Sequence, residues 1–373
     1  MLAGHPGAEA FLAQHLSNPG HRGDLALDRL APPTLAYTAL VEALEKYRGM
    51  VRTGGFPTLE TRSTRVRRKE RDRWVPRNLN ARLAAEGYLV DAGSEEMGPD
   101  TKTALREFQI RHGLSPTGQP DRSTLRAMQT PADRKVKAIV QAMKVIRGAI
   151  SPGSSSFLHV QVPHAFLEVY LDGVFVRRFS TVVGSATKSR PPGARKKDFQ
   201  YRTLPLNSAM DRIVVNPEWV VPDSIAEKEI LPFVLEDPTW LEKHGYRVVT
   251  WSGGKEVFIQ TPGSGNALGK VKFLFFNDLG YYLHDTPAKK LFRRPVRLFS
   301  HGCIRVEHAM ELAGILLGRD QGIQQSTMNL WLKKREQTVI RLKSPIPIHV
   351  TYHTAGADSD GQVFFLPDYY ELE

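Results

Sequence analysis

The chain has one cysteine, at position 303, inside Ser300-His301-Gly302-Cys303-Ile304-Arg305-Val306. A lone cysteine with histidine nearby is a candidate nucleophile. The reactive form is the thiolate, and a free thiol is mostly protonated at neutral pH. A histidine that accepts the proton, or holds it as imidazolium, generates that thiolate. His301 lies beside the cysteine, and His284 lies upstream in Gly280-Tyr281-Tyr282-Leu283-His284-Asp285-Thr286-Pro287. His284 ends an apolar strand and precedes a polar turn, a rigid platform for a base. Gly302 removes side-chain bulk next to the sulfur, so that backbone N–H groups can face a developing oxyanion. Taken singly, a buried thiol or a hydrogen-bonded structural histidine is the ordinary reading of each residue. Together they argue for nucleophilic chemistry. His284, His301 and Cys303 could in principle also ligate Zn²⁺ with an open fourth position. Catalytic zinc usually brings a carboxylate or histidine at helical spacing, which is not seen here, so neither metal nor cofactor is expected.

Strand-like segments must position this group. From 157 onward the pattern predicts strands at 157–162 and 165–171, a hairpin turn at Asp172-Gly173 and a return strand from Val174. Further strands are expected at 213–216, 256–260, 271–276, 281–284, 347–352 and 362–366. Helical pieces at 224–231 and 239–244 interrupt them like an insertion, and helices are expected around 310–317 and 325–334. The first part of the chain is helical. Leu35, Leu40, Val41, Leu44 and Tyr47 recur at near-helical spacing up to Gly54-Gly55-Phe56-Pro57. Residues 75–130 read as a compact helical unit, in which Pro99 and Asp100 open one helix and Asp121 caps another. Val136, Ile139, Val140, Met143 and Ile146 make an amphipathic helix over 132–148, and the linker Ser151-Pro152-Gly153-Ser154-Ser155-Ser156 follows.

The 373 residues suggest two or three domains. With 51 Lys and Arg against 39 Asp and Glu, the net charge of +12 favours a polyanionic partner or an acidic small substrate. A single cysteine excludes a disulfide framework or a Cys-rich zinc module. No run of 18 uncharged apolar residues occurs, so no integral membrane segment is expected. The densest basic run, Arg62 to Arg77, is not interleaved with aromatics apart from Trp74, so nucleic acid is not indicated; a solvated linker is the plainer reading. Lys289, Lys290, Arg293, Arg294 and Arg297 fall between the two halves of the candidate site and are expected either to attract carboxylates or simply to form an exposed basic loop. The oligomeric state is not legible. Met1-Leu2-Ala3-Gly4-His5-Pro6 lacks the pattern of a secretory signal.

His284, then 285–299, then Ser300-His301-Gly302-Cys303-Ile304-Arg305 resembles the catalytic domain of the L,D-transpeptidases, which cross-link bacterial peptidoglycan. Asn216-Pro217-Glu218-Trp219-Val220-Val221-Pro222, Ser224-Ile225-Ala226 and Gly265-Asn266-Ala267-Leu268-Gly269 resemble the long subclass of that family, with a substrate-capping insertion at about 221–268. Asn78-Leu79-Asn80-Ala81-Arg82-Leu83, Gly87-Tyr88-Leu89, Gly98-Pro99-Asp100-Thr101, Phe108-Gln109 and Gly113-Leu114 resemble peptidoglycan-binding domain 1, a three-helix wall module. The resemblance implies a multidomain α + β chain. Residues 1–74 would be a partial all-α scaffold with a basic linker, 75–130 the wall module and 131–156 a connecting helix and linker. Residues 157–353 would be a mostly β, sandwich-like catalytic domain with a helical cap, and 354–373 a tail. It implies a thioester on Cys303, His284 as general base held by the backbone carbonyl of Asp285, and an oxyanion hole from the N–H groups of Gly302 and Cys303. His301 and Ser300 would shape the loop, and Arg305, Tyr282 and Trp219 would contact substrate. It further implies stem peptides and glycan as partners, carbapenems as acylating inhibitors, and the periplasm or cell envelope as location. Since family members are exported, it also implies a truncated chain or a misplaced start. A water, D-amino-acid or protein-lysine acceptor, or a non-catalytic wall scaffold, are the alternatives.

Overall fold

The computed structural model describes residues 31–59, 78–90, 92–93, 96–186, 201–358 and 361–373. The basic run at 62–77 and the first thirty residues lie outside the described residues. Two compact units are present: Met1–Ser156 with Tyr170–Phe175 and His353–Pro367, and Phe157–Val169 with Val176–Tyr352 and Asp368–Glu373.

The first unit is helical. Helix α1 (Leu35–Arg52) starts where Thr34 accepts the N–H of Tyr37 at 3.1 Å, and Gly54 and Gly55 end it in left-handed conformations. Its buried stripe differs from the expected one. Leu35 and Val41 are 39% and 43% exposed, while Ala36, Ala39, Leu40, Ala43 and Tyr47 face inward. Alanines at helical spacing let neighbouring elements approach closely, a signal that counting only large apolar residues misses. Helices α2 (Leu79–Glu86), α3 (Pro99–Arg111) and α4 (Arg122–Met128) share a core of Leu79, Leu83, Ala104, Leu105, Phe108 and Met128. Gln109 is wholly buried and ties down the loop after α3: its amide donates to Thr117, to the carbonyl of Gln119 and to Thr124, and its oxygen accepts from Gly118 N–H. Helix α5 (Ala132–Ala149) buries Ile139, Ala142, Met143 and Ile146.

Residues 354–373, expected as a tail, hold regular structure. Ala355–Ala357 and Val363–Phe365 pair as an antiparallel hairpin in this unit, and Phe365 packs edge-on against Tyr47 at 5.2 Å. The centre of the unit is charged. Lys135 donates to both oxygens of Glu86 at 2.6 and 2.9 Å, Arg82 lies 2.6 Å from Glu86, and the Lys135 ammonium sits 4.5 Å from the centre of the Phe365 ring. His112 donates its Nδ1–H to the Phe108 carbonyl, so its Nε2 accepts from Lys135 at 3.1 Å. Burial alone would raise the Glu86 carboxyl; Lys135 and Arg82 overcome it and hold the group down at about 2.

The second unit holds a sheet of nine strands and a smaller one of three. In chain order the strands are β1 (Phe157–Gln161), β2 (Phe166–Leu171), β3 (Val174–Gly184), β4 (Leu206–Val215), β5 (Trp219–Val220), β6 (Tyr246–Thr250), β7 (Glu256–Gln260), β8 (Val271–Phe275), β9 (Leu283–His284), β10 (Leu298–Ser300), β11 (Ile304–Val306) and β12 (Thr338–Thr351). The main order is β10-β3-β11-β9-β8-β4-β12-β1-β2, and β2 also pairs with β3, so the sheet closes on itself. Helices α6 (Ala309–Gln321) and α7 (Gln325–Lys334) follow β11. The insertion after β4 holds the expected helical pieces but also a sheet of its own, β5-β7-β6. Its strand β6 escapes a hydrophobicity count because Arg247, Val248 and Thr250 are all exposed. No helix among the described residues is long and apolar enough to cross a membrane.

Replacing Glu86 by Gln leaves Lys135 and Arg82 buried without their anion. A loss of about 3–5 kcal/mol is expected, read by urea unfolding. Glu86 titrates lower in the folded chain than its ordinary 4.5. Its contribution in the native protein is therefore complete above that value and disappears as pH falls from there through about 2.

Candidate active site

Strand register brings the candidate residues together. Strand β9 pairs with β8 on one side and β11 on the other, with Phe273 opposite Leu283 and Ile304 opposite Leu283. All three are buried, so this row faces the core. The next row, Lys272, His284 and Arg305, must face the other way, because side chains alternate along a strand. Tyr282 and Cys303 lie two residues from His284 and Arg305, so they join that face. The Ile304 N–H bonds to the Tyr282 carbonyl at 3.1 Å and fixes the step between them. Cys303, His284, Tyr282 and Arg305 line a cleft of about 440 Å³ with Trp219, Ser300 and His301.

His284 is buried, and its Nδ1 lies 2.5 Å from the Asp285 carbonyl oxygen. A carbonyl only accepts, so Nδ1 carries the proton and Nε2 keeps the lone pair. Burial, then the Arg305 guanidinium, pushes the imidazole down to about 3, and it is uncharged at neutral pH. Asp285 is itself pinned. Its N–H reaches the Val271 carbonyl, its carboxylate accepts the Lys270 N–H at 3.0 Å and pairs with Lys289. A Cβ at Gly269, where φ is +62°, would overlap the Asp285 carboxylate, so the last glycine of the Gly265–Gly269 stretch makes room for it. Asn266 of the same stretch is buried and donates to the carbonyls of Pro217, Gln260 and Thr261.

The cysteine sits in a braced turn. Ser300 Oγ donates to the Cys303 carbonyl at 2.5 Å and accepts the Gly302 N–H at 3.2 Å. Gly302 has φ +112°, and a Cβ there would lie 2.8 Å from the Tyr281 ring. Thr203 donates to the Gly302 carbonyl at 2.7 Å, and Tyr281 donates to the Arg202 carbonyl at 2.6 Å. The Gly302 N–H, expected to face an oxyanion, is thus turned to Ser300 in this arrangement. Burial pushes the Cys303 thiol up, against the opposing pull of Tyr282, Lys272 and Arg305. His301 stands apart from His284: its Nε2 is 2.9 Å from Glu229 on the insertion, and its ring packs edge-on against Tyr201 at 4.4 Å. Among the described residues no group of three or more His, Cys, Asp and Glu side chains converges as a metal would require.

Two expected cations are already occupied. Lys289 pairs with Asp285, and the Arg297 guanidinium donates to the carbonyls of Thr181, His164 and Ala165. Lys290, Arg293 and Arg294 are exposed. Sequence reasoning missed Lys272, Thr203, Tyr281 and Glu229. Lys272 and Tyr281 lie in segments whose alternation could have shown their face; Thr203 and Glu229 carry no local signal.

A family model of the L,D-transpeptidase catalytic domain matches residues 155–341, half of the chain. The chain belongs to this L,D-transpeptidase family. A second family model, of a provisionally described peptidoglycan binding domain, matches residues 76–128. A Haemophilus influenzae protein provisionally named an L,D-transpeptidase is 30% identical over 244 residues, covering 61% of this chain. The chain spans about half, 47%, of that relative's length. Among solved structures, the L,D-transpeptidase of Stackebrandtia nassauensis is 16% identical, with 79% of this chain and 96% of that one covered and a TM-score of 0.26. The L,D-transpeptidase from Mycobacterium smegmatis is 13% identical, with 53% and 59% covered and a TM-score of 0.24. At such scores these superpositions add nothing to the fold described above. The L,D-transpeptidase domain match contains the whole Lys272, His284, Arg305 row and the Ser300–Cys303 turn.

Gly302→Ala places a methyl group against Tyr281 at a left-handed backbone position. A loss of about 1–3 kcal/mol is expected, with slowed alkylation of Cys303, read by thermal melting and by iodoacetamide labelling.

Proposed function

We propose that this chain is a cysteine-dependent peptidoglycan L,D-transpeptidase. The observation that carries the reading is the shared face of β9 and β11, which sets Cys303 in one cleft with a neutral imidazole whose Nε2 is free. The resting pair is thiol and imidazole, not thiolate and imidazolium, because burial disfavours both charged forms.

Catalysis then runs in two balanced halves. The Sγ proton passes to His284 Nε2 as the sulfur attacks the carbonyl of the L,D bond before the terminal D-Ala of a tetrapeptide stem. The Cys303 N–H is the donor best placed for the resulting oxyanion, and the Gly302 N–H joins it if Ser300 releases it. Collapse breaks the C–N bond, the imidazolium gives its proton to the leaving amine, and a thioester remains on Cys303. The side-chain amine of a diaminopimelate on a second stem attacks that thioester. His284 takes its proton, the sulfur leaves, and a 3→3 cross-link is formed. Arg305 supplies positive charge for a substrate carboxylate, and Tyr282 and Trp219 form walls against which the stem packs. Ser300 holds the turn, and His301 joins it to the insertion through Glu229. In this reading residues 75–130 are the wall-contacting module, the insertion is the substrate cap, peptidoglycan stem peptides and glycan are the partners, and the cell envelope is the workplace. A carbapenem would acylate the same sulfur.

Incubation with a tetrapeptide donor is expected to give a Cys303 thioester with loss of D-Ala, seen by mass spectrometry. Cys303→Ala should lose at least about 10³-fold in turnover while keeping its melting temperature. An adduct on that variant would overturn the assignment. Muropeptide analysis of the products separates transfer to an amine from hydrolysis or exchange.

A further inference from the structure

His284 does not stand alone on its face of the sheet. Lys272 lies directly opposite it on β8 and Arg305 directly opposite it on β11, so two cations flank the imidazole across three adjacent strands. Directly opposed residues share a face and sit within contact range. The row is closed at both ends by buried apolar groups, Val214 opposite Lys272 and Val182 opposite Arg305. The Lys272 ammonium lies 4.2 Å from the centre of the Tyr282 ring, and Tyr282 also borders Cys303. We infer that Lys272 is a positioning residue for the reaction, which with Arg305 keeps His284 uncharged at rest and favours the thiolate of Cys303. The inference rests on the reading of Cys303 and His284 as the reacting pair.

The electrostatic argument has a definite sign. A cation within about 4–6 Å penalises a second cation and favours an anion, by one to three pH units in a sheltered setting. Lys272 and Arg305 both push the imidazole down and both pull the thiol down against its burial. The proton that leaves the sulfur therefore finds a base that binds it weakly and passes it readily to the departing amine. Other groups facing this row are Tyr282 just before β9, Cys303 from the turn before β11 with Tyr281 beside it, and Glu229 from the insertion, which acts on Arg305. The Asp285 carboxylate points elsewhere, to Lys270 N–H and Lys289.

The test is the pH dependence of Cys303 alkylation by iodoacetamide in the full chain, with the His284 midpoint followed by NMR of ¹⁵N-labelled imidazole. Lys272→Met is expected to move both midpoints upward by about one pH unit, and Lys272→Arg to restore them. A merely structural lysine, packed on Tyr282, would change melting but neither midpoint. Should Lys272→Met fail to fold, Lys272→Gln, which keeps a polar head without charge, carries the same expectation. Unchanged midpoints in a folded, uncharged variant overturn the inference, even if donor turnover persists. Shifted midpoints in a chain that forms no thioester from tetrapeptide support the inference about the thiol and overturn the reading of the reaction instead.

Discussion

The site depends on the register of a strand of two residues. Leu283 is buried between Phe273 and Ile304, and hydrophobic burial of one such side chain stabilises by about 1.5–3 kcal/mol. That burial decides which way His284 points. A slip of one residue would turn Leu283 to the cleft and His284 into the core, along with Lys272 or Arg305 depending on which pairing slipped. The core packing of three apolar residues thus specifies the placement of three polar ones. The peptide after His284 then sets the tautomer, since the Asp285 carbonyl accepts only the Nδ1 proton. Asp285 can serve in this way because its N–H, carboxylate and chain neighbours are all fixed.

The cysteine is held by different means. It ends a turn and not a long strand, so ladder bonds alone cannot aim it. Ser300 ties the turn from inside, Thr203 ties it from behind, and the Tyr281 ring fills the space that a side chain at 302 would need. Thr203 is in turn held by Tyr370, whose N–H donates to Tyr352 and whose hydroxyl donates to the Gly184 carbonyl, so the last residues of the chain support the turn at a distance. On the open side, Glu229 reaches His301 from a π-helical turn at Ala226–Ile230. Pro232 follows that turn and has no N–H to offer an ordinary helical bond. Single π turns recur at functional sites, and this one aims a carboxylate at the motif.

Much of this was legible in the sequence, for reasons that differ by residue. Cys303 and His284 stand out because their chemistry needs few partners and their flanks alternate clearly. The strands at 157–162, 165–171 and 271–276 show as apolar segments because the buried face is continuous. Strand β12 was read only over its last third, since Arg341-Leu342-Lys343-Ser344 looks like a loop. In the fold those residues flank a bulge between Arg341 and Ile346, which sets polar groups outward without ending the pairing. The alanine stripe of α1 and the strand at Ala355–Ala357 were obscured for a related reason, whereas its partner Val363–Phe365 falls within the expected strand at 362–366. Close packing of small residues and a short paired segment produce no hydrophobic maximum. Thr203 was beyond reach, because its role depends on a partner 99 positions away.

The two units bury cations in opposite ways. In the helical unit Lys135 and Arg82 converge on one carboxylate, and the imidazole of His112, pushed by burial down to about 3, takes the remaining ammonium donor as a neutral acceptor. Both cations there meet one fixed resident carboxylate, as a structural centre requires. In the sheet unit Lys272 and Arg305 are drawn into a sheltered row around His284, and the anion that faces them is the sulfur itself, present only when Cys303 has lost its proton. Among the described residues Glu229 is a carboxylate within influence, and it belongs to the insertion and already bonds His301. A pair of sheltered cations without a matching resident anion is costly as architecture. It becomes intelligible when the missing charge is transient: a thiolate, an oxyanion or a substrate carboxylate. Perturbed groups of this kind gather where chemistry is done, and the structural cluster built from the same residue types shows what they look like when it is not.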